Sequence, residues 1–142
     1  MGIEFELKYA AGAEEWALLK ARFPHLRPIA METAYYDNSR GDFGRLKWTF
    51  RRRMENGMSV CTLKTPLPDG SRGEWEVEAA SIMDGVMQLC KAGADWELMR
   101  CASGGLIQVC GARFTRLAKT LEIPGGTVEL ALDEGVLLGR DK

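Results

Sequence analysis

The sequence predicts a protein of the α+β class, in which antiparallel strands form a sheet and helices pack against it. Residues 2–9 alternate strictly between apolar and charged side chains, as a strand with one polar face does. The Glu-Asn-Gly sequence at 55–57 is typical of a hairpin turn between two further strands. Other stretches follow helical spacing, and a length of 142 residues indicates one domain that spans the chain.

The predicted first strand, 2–9, has its charged residues on one face. Glu4, Glu6 and Lys8 are two residues apart, and strand side chains have a period of two. Two carboxylates so spaced can reach a single divalent cation, because Mg²⁺ takes oxygen ligands together with water and phosphate. Lys8 could hold a phosphate beside that metal. Antiparallel sheets are commonly polar on one side, so this strand alone favours the alternative of a solvated face.

Three helices are predicted, over residues 13–22, 82–91 and 95–101. In the first helix, Trp16 and Leu19 recur with helical spacing, and Pro24 just beyond it stops the helix. Ser81 is expected to cap the second helix, since a serine hydroxyl accepts from a backbone N–H of the first turn. These segments supply the apolar faces that would cover one side of the sheet.

The remaining strands are predicted from runs of β-branched, aromatic and alternating residues at 27–37, 46–54, 58–65, 73–80, 106–123 and 127–133. Gly111 is expected to interrupt or bend the long strand. The segments 38–44 and 66–73 are rich in Asn, Asp, Gly and Pro, which predicts loops there.

Several of these strands place residues that are mostly of one charge on a single face. The residues are Arg51 and Arg53; Thr62 and Lys64; Arg72, Glu74, Glu76 and Glu78; and Glu129 and Asp133. An open sheet would turn such faces to water. A sheet closed into a tunnel would instead have a charged lumen, which suits a polyphosphate with a divalent metal. Burying so many charges is costly unless they are paired, so the pattern alone favours the open sheet.

Composition argues against several classes of function. A net charge of −1 provides no general attraction to nucleic acid or to an anionic membrane surface. No apolar run reaches transmembrane length, and the N-terminus enters a charged strand without a signal peptide. The four cysteines lack the CxxC spacing of a zinc site, so reduced cysteines in the cytoplasm are expected.

A series of motifs extends over nearly the whole chain. In chain order they are Glu4-Phe5-Glu6-Leu7-Lys8, Tyr35-Tyr36-Asp37, Phe50-Arg51-Arg52-Arg53, Thr62-Leu63-Lys64, Arg72-Gly73-Glu74-Trp75-Glu76, Arg116, and Val128-Glu129-Leu130-Ala131-Leu132-Asp133. The first has the form ExExK. Together they resemble the CYTH superfamily, the adenylyl cyclase and thiamine triphosphatase group that is also called the triphosphate tunnel metalloenzymes.

The resemblance implies a closed tunnel of about eight antiparallel strands with helices packed outside. It implies that Mg²⁺ or Mn²⁺ is bound by four carboxylates, Glu4, Glu6, Glu74 and Glu76. It implies that phosphates are held by Lys8, Arg51, Arg53, Lys64, Arg72 and Arg116. Lys8, Glu129 and Asp133 are implied to assist catalysis by positioning water and basic side chains.

The chain departs from the family pattern in two places. Members normally continue beyond the stretch that matches Leu132-Asp133 into a final strand with a second Glu-x-Glu pair, whereas this chain stops at Lys142. The expectation is either a truncated chain or a closing strand supplied from elsewhere, for instance by a second subunit in a homodimer or strand swap. Lys47 stands near a position where many members have glycine.

Four functions follow from these observations. The first is metal-dependent hydrolysis of inorganic triphosphate or a related triphosphate. The second is a class IV-type adenylyl cyclase, which would need an adenine pocket that the sequence does not identify. The third is a non-catalytic polyphosphate- or organic phosphate-binding module, which the missing carboxylate pair favours. The fourth is an open α+β domain with solvated charged faces and no site.

Overall fold

The computed structural model describes the backbone of residues 2–4 and 6–138 and the side chains from Glu6 to Leu137. Within this part the elements are, in chain order, β1 Gly2–Glu4, α1 Ala13–Arg22, β2 Arg27–Asp37, α2 Asp42–Leu46, β3 Thr49–Glu55, β4 Met58–Pro66, β5 Arg72–Glu78, α3 Ile82–Lys91, α4 Glu97–Ala102, β6 Ile107–Ile123 and β7 Gly126–Leu138. The predicted α+β class is confirmed.

The described strands form one antiparallel sheet in the order β1-β5-β4-β3-β2-β6-β7. The sheet is curled into a half-barrel, and the predicted barrel-type architecture with helices is confirmed. β1 and β7 are the two edges of the described sheet. Residues that pair directly in antiparallel strands lie on the same side of the sheet. The register therefore assigns each residue to one of two sides, of which one is covered by helices and the other carries the charged residues.

The helix-covered face holds the apolar core. α3 packs against β3, β4 and β5, and α4 packs against α3. The core consists of buried residues from the sheet and the helices: Phe43, Phe50, Cys61, Leu63, Ala79, Val86, Leu89, Ala94, Leu98, Cys101 and Ala102. As predicted, Ser81 caps α3, and its side chain accepts a hydrogen bond from the backbone N–H of Asp84 at 3.1 Å. This covered face leaves the other face of the same strands for the charged residues.

The bounds of β1 differ from the prediction. The predicted strand 2–9 ends at Glu4, and residues 6–10 form no regular structure. Residue 5 lies outside the described residues. The shortening has a physical reason, because β1 pairs only with β5 and Glu4 lies opposite Arg72, the first residue of β5. Beyond Glu4, strand β5 has no further residues whose backbone N–H and C=O groups could pair with β1. An alternating sequence does not extend a strand that has no partner for its hydrogen bonds.

A short helix, α2, replaces part of the predicted loop and of the predicted strand 46–54. The Asp37 carboxylate accepts from the backbone N–H groups of Phe43 and Gly44, at 3.0 and 3.1 Å, and holds the first turn. The helix ends at Lys47, whose φ of 62° lies in the left-handed region. That conformation favours glycine, which agrees with the departure noted at this position, and β3 begins only at Thr49.

The irregularity of β6 lies two residues before the predicted one. The register with β2 shifts between Tyr35, which pairs with Cys110, and Tyr36, which pairs with Gln108. This leaves Val109 unpaired, as in a β-bulge, whereas Gly111 pairs regularly with Ala34. The prediction of a bend at Gly111 was therefore wrong in position. β7 continues to Leu138, beyond the predicted end at residue 133.

Gly85 sets the distance between α3 and the sheet, and replacing it with alanine is expected to destabilise the fold. A Cβ at this position would lie 2.5 Å from Sγ and 2.7 Å from Cβ of Cys61. Because this contact is fully buried, Gly85→Ala should lower the free energy of unfolding by about 1–3 kcal/mol, although alanine is the better helix former. Denaturant unfolding measures this. Gly104→Ala is the control, since its Cβ would meet only a side-chain atom of Arg40 at 3.9 Å.

Candidate phosphate and metal site

The strand register brings four of the predicted phosphate-binding cations to one face, called here the charged face. It is the face opposite the helices and is formed by Thr33, Arg51, Arg53, Thr62, Lys64, Glu74, Glu76, Phe114, Arg116 and Asp133. Arg51 pairs with Thr62, which pairs in turn with Glu76, and Lys64 pairs with Glu74. Arg52, between Arg51 and Arg53, lies on the helix side and donates to Ser59 Oγ and to the carbonyl of Ala80.

Arg53 is a buried cation with little negative charge around it. Its residue is 4% exposed, and Nε donates to Thr33 Oγ1 at 2.7 Å. Among the described side chains no carboxylate forms an ion pair with it. Burial, together with the neighbouring charges of Arg51 and Arg116, lowers the pKa of Arg53 to about 10, in spite of opposite contributions from Tyr35 and Glu55. A group in this state has much to gain from a bound anion.

Arg51 adds a second unsatisfied donor to the same place. Its Nε is buried and has no hydrogen-bond partner within the part of the chain that the structure describes. Buried polar atoms are nearly always hydrogen-bonded, so an orphan of this kind calls for a ligand or an ion. Arg51 and Arg53 therefore form a cationic site in which at least one N–H donor, Nε of Arg51, has no hydrogen-bond acceptor among the described residues.

Arg116 is held differently from Arg53. Its Nε and Nη2 donate to the two carboxylate oxygens of Asp133 at 2.8 and 2.9 Å, a bidentate pair between β6 and β7. This hydrogen bond raises the pKa of Arg116, and the charges of Glu129 and Glu6 raise it as well. Three of the predicted site carboxylates therefore act on one guanidinium, and Asp133 positions Arg116 directly.

Glu6 and Lys8 do not lie on a strand, contrary to the prediction. They belong to the irregular segment after β1 and form an exposed ion pair, with Nζ of Lys8 3.7 Å from Oε1 of Glu6. Lys8 remains 80% exposed. Glu4 lies opposite Arg72 in β1, and its side chain is outside the described part. The ExExK motif thus begins on the edge strand β1, with Glu4, and ends in the irregular segment that contains Glu6 and Lys8.

Arg72 is bound to the sheet as well as lying at the site. Its Nη2 donates to the carbonyl oxygens of Lys47 and Lys64, at 3.0 and 3.3 Å, and contacts Thr49 Oγ1 at 3.4 Å. These contacts link the start of β5 to the residue that ends α2. Arg72 therefore has a structural role that its predicted phosphate contact does not explain.

The acidic residues of β5 are candidate metal ligands. Glu76 is exposed and accepts from Thr62 Oγ1 at 3.1 Å, and Glu74 lies opposite Lys64. Among the described residues no three acidic, histidine or cysteine side chains converge on a metal position. The donor chemistry nevertheless fits Mg²⁺, which is commonly bound by one or two carboxylates and completed by water and substrate phosphate. The described residues do not form a complete set of metal ligands on their own.

Two residues that the sequence did not mark contribute to the charged face. Thr33 holds Arg53, and Phe114 packs against the guanidinium groups of both Arg53 and Arg116. Phe114 stands two residues before Arg116, so its placement on the same face could have been read from the strand period. Its role could not, because an apolar residue in a strand normally indicates core.

An apolar pocket of about 300 Å³ lies where β2 ends and β3 begins. Its lining includes Tyr35, Tyr36, Phe43, Trp48 and Thr49. Tyr35 and Thr49 pair with the site residues Arg51 and Lys64, so the pocket adjoins the charged face. The rest of its aromatic lining lies on the helix side, where Phe43 is a core residue and Tyr36 and Trp48 pack against the core.

The curled antiparallel sheet, with helices on one face and a row of arginine and lysine side chains on the other, defines a protein of the antiparallel β-tunnel class. A family model described as the CYTH domain matches residues 2–141, and the chain belongs to this family. CYTH proteins are triphosphatases or adenylyl cyclases that bind triphosphates, and as tunnel metalloenzymes they use divalent metals. The resemblance found from the motifs is confirmed.

Solved structures with the same fold come from different organisms. A candidate adenylyl cyclase from Hippeastrum, described as having a dominant triphosphatase activity, has a TM-score of 0.61 at 20% identity, over 89% of this chain and 69% of that one. A candidate adenylate cyclase from Bacillus halodurans has a TM-score of 0.64 at 14% identity, over 97% and 79%. A protein from Pyrococcus horikoshii has a TM-score of 0.58 at 27% identity, over 89% and 68%.

Two further findings complete the comparison. None of the curated proteins matches the chain. Across the residues that the structure describes, no helix has both the length and the apolar character that a membrane crossing needs.

Proposed function

We propose that the protein hydrolyses inorganic triphosphate or a related triphosphate in a metal-dependent reaction on the charged face. Two neighbouring arginines support this most strongly. Arg53 is buried without a carboxylate partner among the described side chains, and Nε of Arg51 is buried there without a hydrogen-bond partner. A cation without a carboxylate partner is costly in a folded protein unless a ligand anion completes it. Three linked phosphates provide several negative oxygens along one chain, which matches a row of cations on neighbouring strands.

In this proposal each side chain has a definite task. The phosphate chain is bound by cations of the sheet and by Lys8 of the irregular segment after β1. The cations of the sheet are Arg51, Arg53, Lys64, Arg72 and Arg116. Asp133 and Glu129 orient Arg116 and position the attacking water. Glu4, Glu6, Glu74 and Glu76 would hold Mg²⁺ or Mn²⁺, which when bound supplies charge neutralisation at the phosphate oxygens. Positioning and electrostatic stabilisation are what phosphoryl transfer mainly requires.

An organic triphosphate is the second candidate substrate, and the aromatic pocket beside the charged face favours it. A nucleotide base bound there would leave its phosphates next to Arg51 and Lys64. Such a substrate would allow either hydrolysis or, as in the adenylyl cyclases of this family, cyclisation of ATP. A module that only binds polyphosphate remains the non-enzymatic alternative. We further propose a cytoplasmic location, because the four cysteines are free thiols.

The test is a product analysis. The protein is incubated with Mg²⁺ or Mn²⁺ and with inorganic triphosphate or ATP, and phosphate, pyrophosphate and cyclic AMP are measured, with chelator in a parallel reaction. Metal-dependent phosphate release from inorganic triphosphate supports the hydrolase. Cyclic AMP and pyrophosphate from ATP would establish the cyclase instead. Binding of triphosphate without any turnover would establish the binding module and refute the hydrolase.

A further inference from the structure

Phe114 contacts two of the cations assigned to phosphate binding. Its ring centroid is 5.4 Å from Cζ of Arg53 and 5.7 Å from Cζ of Arg116. Both distances fall within the roughly 6 Å over which the electron-rich face of an aromatic ring attracts a guanidinium. One ring on β6 therefore stabilises a cation from β3 and a cation from its own strand.

The backbone of Phe114 is fixed by an unusually close neighbour. Phe114 pairs with Gly135 of β7, and a Cβ at Gly135 would overlap Cα and Cβ of Phe114 and the carbonyl oxygen of Arg113. Only glycine allows β7 to approach this closely. The same register places Asp133, two residues from Gly135, opposite Arg116. The pairing of β6 with β7 thus fixes both the position of the Phe114 ring and the position of the Arg116–Asp133 pair.

Arg53 has few other contacts that could hold it in place. Thr33 binds its Nε, but among the described side chains no carboxylate pairs with it. The nearby charges of Arg51 and Arg116 repel it. Arg116 is held by Asp133 and Arg53 by Thr33, and the ring of Phe114 contacts both guanidinium groups, which favours their staying close in spite of this repulsion.

We propose that Phe114 is a positioning residue of the phosphate site. Its ring holds the guanidinium groups of Arg53 and Arg116 near one another, so that both can donate to the same phosphate chain. Phe114 acts through these arginines and does not touch the reacting atoms. This inference rests on the proposed triphosphate-binding function.

The experiment compares Phe114→Leu with Phe114→Tyr. Leucine keeps an apolar side chain but has no aromatic face, whereas tyrosine keeps the ring. Calorimetric titration with inorganic triphosphate and Mg²⁺ should show about tenfold weaker binding by the leucine variant. The tyrosine variant should bind as the unchanged protein does. In turnover assays the loss should appear mainly in KM. Trp96→Leu, which removes a 67% exposed aromatic ring beside α4, is the control and should have no effect.

Three results would contradict the inference in distinguishable ways. If the unchanged protein binds triphosphate and the leucine variant binds equally well, the positioning role is wrong and the proposed function stands. If leucine and tyrosine weaken binding equally, Phe114 acts by its fit in the sheet and not by its ring. If the unchanged protein does not bind triphosphate, the proposed function fails and this inference fails with it.

Discussion

Replacing Arg53 with glutamine is expected to lower triphosphate turnover about 100-fold or more while leaving the folded protein slightly more stable. The loss of turnover follows if Arg53 binds the phosphates as proposed, because removing one desolvated donor to a developing charge typically costs about 100-fold or more in rate. The gain in stability follows from the burial of Arg53 and its repulsion by Arg51 and Arg116. Glutamine keeps an N–H donor for Thr33 without the charge, so the free energy of unfolding should rise by about 1 kcal/mol.

The sign of the stability change can be checked from linkage. The pKa of Arg53 is lowered in the folded state, so at neutral pH its charge favours the unfolded chain. That unfavourable contribution is fully present below a pH of about 10 and declines only as the pH rises above this value. Removing the charge at pH 7 should therefore stabilise the protein. Kinetics with inorganic triphosphate and denaturant unfolding measure the two effects separately.

Arg52→Gln is the matched control for this variant. Arg52 is adjacent in sequence, carries the same charge and lies on the helix side, bound to Ser59 and to the carbonyl of Ala80. The account predicts that Arg52→Gln leaves turnover nearly unchanged and does not stabilise the protein. Equal loss of turnover in the two variants would mean that turnover depends on the net charge of the protein and not on the position of the arginine on the charged face.

Changing Glu4 and Glu6 to glutamine together is expected to abolish metal-dependent turnover. Glutamine preserves size and hydrogen bonding but removes two negative charges that a divalent cation requires. Because Glu6 also raises the pKa of Arg116, the double variant should weaken the electrostatic support of that guanidinium as well. Phosphate release at increasing Mg²⁺ and Mn²⁺ measures the effect, and partial recovery at high metal concentration would show that metal binding is what was lost.

The control for this pair is Glu14→Gln with Glu15→Gln. Both lie in the first turn of α1, are exposed and belong to none of the motifs assigned to the site. Removing these charges should leave the metal dependence unchanged. If the Glu4 and Glu6 double variant retained full metal-dependent turnover, the ExExK motif would not be the metal-binding element of this chain.

The sequence predicted the two faces of the sheet well, because a strand period of two and a known hairpin turn together determine which residues face each other. Alternation placed Arg51 and Arg53 on one face and Arg52 on the other, and the register agrees. Their assignment to a phosphate site came from the family resemblance and stays a prediction. The bounds of β2 and α1 also agree with the prediction.

Other features depend on contacts that no local pattern contains. The end of β1 depends on where its partner β5 begins, which alternation in residues 2–9 cannot indicate. α2 depends on the Asp37 carboxylate accepting from Phe43 and Gly44, and a stretch rich in glycine and aspartate reads as a loop without that contact. The role of Phe114 depends on the two guanidinium groups that the fold brings against its ring, so its strand sequence does not indicate it.

The central claim is that one face of the sheet binds triphosphate, and arginine side-chain NMR tests it most directly. The Nε–Hε signals are recorded while inorganic triphosphate and Mg²⁺ are added. The account predicts that signals of Arg51, Arg53 and Arg116 move and that those of Arg52 and Arg113, on the other face, do not. Movement confined to Arg52 and Arg113, or no movement at saturating triphosphate, would contradict it.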